Sequence, residues 1–105
     1  MSEPLNDIAT KVIYEDDQVR VWNQVVPADG KIQKHKHEYD YYLVNIAGEG
    51  PFEVNFHDGS GGDLGAQITF TPKPGKVDFV PKGHVETAHN QGAEYRAILV
   101  ELKNQ

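Results

Sequence analysis

Two imidazoles stand at alternate positions in the run Lys34-His35-Lys36-His37-Glu38-Tyr39-Asp40-Tyr41. In a strand, alternate side chains share a face, so His35 and His37 point one way while Lys34, Lys36 and Glu38 point the other. One face then carries two nitrogen donors suited to a metal ion or a polar ligand, and the opposite face is wet. A partner for the pair must come from far along the chain and lie close in space. The run Pro81-Lys82-Gly83-His84-Val85-Glu86 is the best source, because it holds both a further imidazole and a carboxylate.

The elements that must position these groups read as strands. Residues 11–14, 19–26, 32–37 and 41–47 read as strands, 19–26 being rich in β-branched and aromatic side chains and 41–47 nearly continuously apolar. Phe52, Val54 and Phe56 alternate with Glu53 and Asn55, the period of a half-buried strand. Residues 67–71, 77–80, 85–90 and 95–102 give four more at the spacing of a β-sandwich or barrel. Pro27-Ala28-Asp29-Gly30, Pro72-Lys73-Pro74-Gly75 and Asn90-Gln91-Gly92-Ala93 supply turn chemistry between them. The glycine-rich run 57–65 is a loop with too little apolar surface to hold a shape alone. It resembles no phosphate loop, since neither a Lys nor a helix follows it. No segment shows a sustained helical stripe, and Trp22, Phe52, Phe70 and Phe79 are expected in the core or a subunit contact.

A chain of 105 residues fits one domain, expected over residues 10–105, with residues 1–9 as a loose or partner-contacting arm. The absence of cysteine excludes disulfides, thiolate ligands and a cysteine nucleophile. A formal charge of −6 argues against nucleic acid and anionic membranes as partners. The N-terminal run has neither the basic start nor the apolar stretch of a signal peptide, and no stretch is long and apolar enough to span a bilayer. The expectation is a cytoplasmic protein whose partners are small molecules and copies of itself.

At this point the chain resembles the cupin superfamily, over roughly residues 30–90. The first cupin motif has a Gly, a His-x-His, a Glu three or four residues on, and a closing Gly after six more; here Gly30, His35-Lys36-His37 and Gly48 match. The second has a Gly, Pro-x-Gly, a His and an Asn; here Gly75, Pro81-Lys82-Gly83 and Asn90 fall at those offsets. The departures bear on function. Tyr41 occupies the place of the first motif's Glu, Glu86 that of the second motif's His, and the step from Gly30 to His35 is one residue short.

The resemblance implies an all-β fold, a cupin-type antiparallel β-sandwich or jelly-roll barrel, with three His and one Glu as its usual metal ligands. This chain retains His35 and His37 and carries a carboxylate at Glu86. Two imidazoles and one carboxylate make the facial triad that holds a divalent ion and leaves positions open. Iron, manganese, nickel and zinc all suit these donors. Tyr41, of the same parity as the histidines if no bulge intervenes, is the candidate catalytic residue, orienting substrate or moving a proton; the alternative is an aromatic that fills space. Glu86 alternatively is a structural carboxylate paired with a lysine or a protonated histidine. His84 shares the parity of Glu86 but sits in a turn and stays open as a fourth ligand. His89 should point away, and His57, with His84 and His89, otherwise reads as surface or turn histidine. A pocket lined by Tyr41, Leu43, the His pair, and Phe79 or Val80 is expected to take a small carboxylic or aromatic compound, with a dioxygenase among the fitting activities. A non-catalytic small-molecule-binding module without metal is the alternative. Apolar residues on both faces of 41–47 point to a homodimer.

Overall fold

The computed structural model describes residues 8–103. Nine strands follow in order: β1 Lys11–Glu15, β2 Val19–Val26, β3 Lys31–Lys36, β4 Tyr41–Ala47, β5 Phe52–Phe56, β6 Gln67–Phe70, β7 Val77–Val80, β8 Val85–Asn90 and β9 Tyr95–Leu102. They form two antiparallel sheets, ordered β1-β2-β9-β4-β7 and β3-β8-β5-β6. This is the expected all-β sandwich closing towards a barrel. Among the described residues no helix is long and apolar enough to cross a membrane.

Alternation fixes which side chains enter the core. Trp22, Gln24 and Val26 of β2 and Tyr95, Ala97, Leu99 and Glu101 of β9 are buried, with their neighbours more exposed. In register, Trp22, Leu99 and Leu43 make one inward row across three strands, and Gln24, Ala97 and Asn45 make the next. Phe52, Val54 and Phe56 face them from β5, with Ala88 on β8. The motif residue Asn90 is fully buried and does structural work: its Nδ2 donates to the carbonyls of Val26, Pro27 and Ala93, and its Oδ1 accepts from the Gly92 N–H. It thereby ties the end of β8 to the turn after β2, which closes one end of the sandwich.

Two expectations read differently in the structure, and a third lies mainly outside the described residues. The glycine-rich loop after β5 is pinned, because Ser60 Oγ donates to the Val85 carbonyl and accepts from the Val85 N–H. A Cβ at Gly61 would overlap the Gly65 carbonyl and the Phe56 ring, so glycine is what lets the loop fold back on itself, through a single 3-10 turn at Gly62–Leu64. Phe79 does not reach the core or the pocket; it is exposed on the outer face of β7, edge-on to Tyr42, while Val80 packs against the core without lining the cavity. The proposed N-terminal arm falls mainly on residues 1–7, outside the described residues, and Ile8 is buried in the core. The acidic run Glu15-Asp16-Asp17 is a solvated turn: Asp16 accepts from the Gln18 and Val19 N–H groups, and Glu15 pairs with Arg20 and Lys103.

Candidate metal centre

The position of His35 depends on an irregularity of β3. Ile32 pairs with Ala88 and His35 with Glu86, so Gln33 and Lys34 together stand opposite the single residue Thr87. This β-bulge lets Ile32 and His35, three apart, both face inward. It also aims the Gln33 carbonyl at the His35 ring, 2.7 Å from Nδ1. A carbonyl only accepts, so Nδ1 carries the hydrogen and Nε2 presents its lone pair to the cavity. His37 lies just past β3 and is held by backbone bonds across the turn before β8: its N–H donates to the His84 carbonyl, and its carbonyl accepts from the Gly83 N–H. Gly83 takes a φ of 109°, in the left-handed region where glycine is unstrained.

His35, His37 and Glu86 converge. His35 Nε2 and His37 Nε2 are 3.1 Å apart, His37 Nε2 and Glu86 Oε1 3.1 Å, and His35 Nε2 and Glu86 Oε1 3.3 Å. Among the described residues these three form the group of donors close enough to share an ion. Donors about 2.1 Å from a common ion stand about 3.0 Å apart on an octahedral face and about 3.4 Å apart in a tetrahedron. The observed triangle lies between those values, so the residues fit a transition ion. Proton counting agrees. With both imidazoles neutral and His35 Nε2 a lone pair, at most one hydrogen, on His37 Nε2, is left to satisfy three electron-rich atoms facing one another.

The electrostatics keep the donors in ligating form. Burial pushes the Glu86 carboxyl up, but its close contact with the His35 and His37 imidazoles outweighs that and holds the group at about 2. Burial lowers the His37 imidazole, against the opposing pull of Glu86, so its neutral form is favoured. His37 Nδ1 is buried without a hydrogen-bond partner, in contrast to the anchored His35. Tyr41 does face the cluster: its ring stacks on His37 with centroids 4.4 Å apart, and its hydroxyl lies 3.5 Å from His37 Nε2. Burial raises the phenol well above its ordinary value, so it stays a protonated donor rather than a phenolate base.

The other histidines stay outside this group. The His84 ring packs against Phe56 at 4.9 Å, His89 pairs with Asp29 at 2.6 Å on the outer side, and His57 meets Thr87 at 3.1 Å. A cavity of about 80 Å³ adjoins the cluster, walled by His35, His37, Tyr41, Leu43, Leu99 and Glu86 among others.

No protein-family model and no curated protein matches the sequence. Solved structures do. A cupin domain from Bordetella pertussis superposes with a TM-score of 0.76 at 21% identity, covering 98% of this chain and 99% of that one. An RmlC-like cupin family protein with a double-stranded β-helix fold from Methanocaldococcus jannaschii gives 0.66 at 18% identity, covering 95% and 86%. The chain has the cupin fold. A third similar structure, the DMSP lyase DddQ from Ruegeria pomeroyi, gives 0.63 at 19% identity over 85% of this chain and 40% of the lyase.

Two inward polar residues of this chain were missed in the sequence. Glu101 is buried, accepting from Trp22 Nε1 and lying 3.8 Å from Arg20, on the strand position paired with Tyr41. Gln24 is buried between Trp22 and Val26 on the same face of β2. Strand parity with their apolar neighbours was the signal that marked both.

Proposed function

We propose that this chain is a cytoplasmic, metal-dependent enzyme of the cupin fold acting on a small oxygenated organic substrate. His35, His37 and Glu86 would hold a divalent transition ion (iron, manganese, nickel or zinc), and Tyr41 orients the substrate. The observation that carries the reading is the 3.1, 3.1 and 3.3 Å triangle of donor atoms. An ion bound there supplies Lewis-acid polarisation of a substrate oxygen. The chain's own residues do the rest. The Gln33 carbonyl fixes the His35 tautomer, Glu86 contributes the one anionic donor, and the Tyr41 hydroxyl donates to a substrate oxygen placed beside His37. The apolar walls keep bulk water from the reacting atoms. Oxygenation, isomerisation and elimination all suit such a site, and one similar structure is named as a lyase.

Metal analysis of protein purified without a histidine tag tests the reading. Stoichiometric metal that is lost in both His37→Ala and Glu86→Ala supports it; substoichiometric metal unaffected by either change rejects it. The second reading, a ligand-binding module without metal, is favoured by the unpartnered Nδ1 of His37. It predicts tight binding of a small organic molecule in chelator-treated protein.

We infer that a second copy of the chain covers the outer face of the five-stranded sheet. Tyr14, Val21, Val100, Tyr42 and Phe79 form one continuous outward row across all five strands, with Ile98, Val44 and Val77 in the next. A patch of this extent on an otherwise acidic surface suits a homodimer.

A further inference from the structure

Gln24 is 5% exposed, and its Oε1 is buried with no hydrogen-bond partner. It lies opposite Ala97, too short to reach it, and lines the same cavity as His35, His37, Tyr41 and Glu86. Buried amides nearly always find partners, and a polar residue between Trp22 and Val26 breaks the apolar row of β2 without any structural return. Gln24 and Ile32 also line an open groove of about 310 Å³ beside β2 and β3.

We propose that Gln24 is the second polar anchor of the ligand and sets its class: a short hydroxy acid or hydroxy carbonyl compound, held by its acid or carbonyl oxygen at the His35, His37 and Glu86 cluster and by its hydroxyl at Gln24. This rests on the metal reading of that cluster. The other walls of the cavity, Leu43, Leu99, Val54 and Ala88 among them, are apolar and suit a short hydrocarbon stretch. Size excludes an aromatic. The cavity of about 80 Å³ is roughly half the 150 Å³ or so that takes up benzene, which leaves room for about three to five non-hydrogen atoms.

The test titrates zinc-loaded protein calorimetrically with glycolate, acetate and benzoate, in wild type and in Gln24→Met, which keeps the side chain's shape and removes its amide. Wild type is expected to prefer glycolate over acetate by about tenfold and to show no benzoate binding in the cavity. In Gln24→Met the preference should fall to about twofold at unchanged acetate affinity. A preference that survives Gln24→Met, equal binding of the two acids to wild type, or tight benzoate binding overturns the assignment. Zinc content measured on the same samples separates the two readings: with zinc bound, those results refute the Gln24 assignment alone. Should no zinc bind, the metal reading fails by itself, and Gln24 is then judged by its side-chain amide resonances in metal-free protein, where a shift with glycolate but not acetate supports the anchor and no shift refutes it.

Discussion

Glu86→Gln in metal-free protein isolates what the carboxylate contributes to the fold. The Glu86 carboxyl falls from its ordinary 4.5 to about 2 because His35 and His37 outweigh the effect of burial. At about 1.4 kcal/mol per unit, that shift is worth about 3 kcal/mol of preference for the ionised group in the folded chain. Its side chain is 15% exposed, so solvent screening removes little of this. Glutamine imitates the protonated acid, so the variant should be about 3 kcal/mol less stable at pH 7, roughly 15 °C in Tm for a domain of this size. The sign follows from the depressed value. The stabilisation is complete above pH 4.5 and is lost as pH falls towards 2, so the gap between wild type and variant closes over that window. His37 acts at higher pH: its lowered value means the folded chain favours the neutral imidazole, and both proteins lose stability as pH drops below 6.5. Urea denaturation of chelator-treated protein, followed by Trp22 fluorescence at pH 7, 5 and 3, gives both quantities. A gap below about 1 kcal/mol at pH 7, or one that does not narrow at pH 3, refutes the idea that the two imidazoles hold Glu86 ionised.

Tyr41→Phe should change stability by less than about 1 kcal/mol, since the hydroxyl has a single contact at 3.5 Å, whereas Tyr41→Ala should lose about 3 to 5 kcal/mol with the buried ring; thermal denaturation distinguishes them. Asn90→Ala strips partners from three carbonyls and one N–H and should cost about 3 kcal/mol while metal content is unchanged, checked by denaturation and metal analysis. Phe79→Glu places a charge in the outer apolar row, so sedimentation should show a dimer for wild type and a monomer for the variant; a wild-type monomer counts against the homodimer.

The strand pattern was legible because each sheet has one covered face, which forces alternation at Trp22, Val26, Phe52, Val54, Tyr95 and Leu99. The convergence of His35, His37 and Glu86 was legible for a different reason: motif spacing carried it, whereas local pattern alone left His84 and Glu86 as rivals. What escaped notice was inward polarity. Gln24 and Glu101 were passed over because a polar side chain in a strand is normally assigned to the wet face, although parity put both inside. Phe79 differed the other way: of the core, pocket and subunit-contact places expected for it, its register with Tyr42 turns it out of the first two. The bulge at Gln33 and Lys34 was hidden altogether, since nothing in the residues between Ile32 and His35 marks a shift of register.

The substitutions that separate this chain from the usual cupin pattern compensate one another in charge but not in number. Against the cupin pattern that the sequence resembles, a carboxylate at Glu86 in place of one at position 41 keeps one anionic group, and three candidate donors stand where that pattern has four. Tyr41 cannot restore the fourth as an anion, because burial keeps its phenol protonated. On the proposed metal reading, one donor fewer would weaken the hold on an ion and leave one more position for a substrate oxygen. The bulge in β3 works against that weakening. By handing the Gln33 carbonyl to His35 Nδ1, it orients one imidazole in advance, so a smaller donor set needs less reordering to act. His37 lacks any such support and is the donor whose tautomer a bound ion would decide.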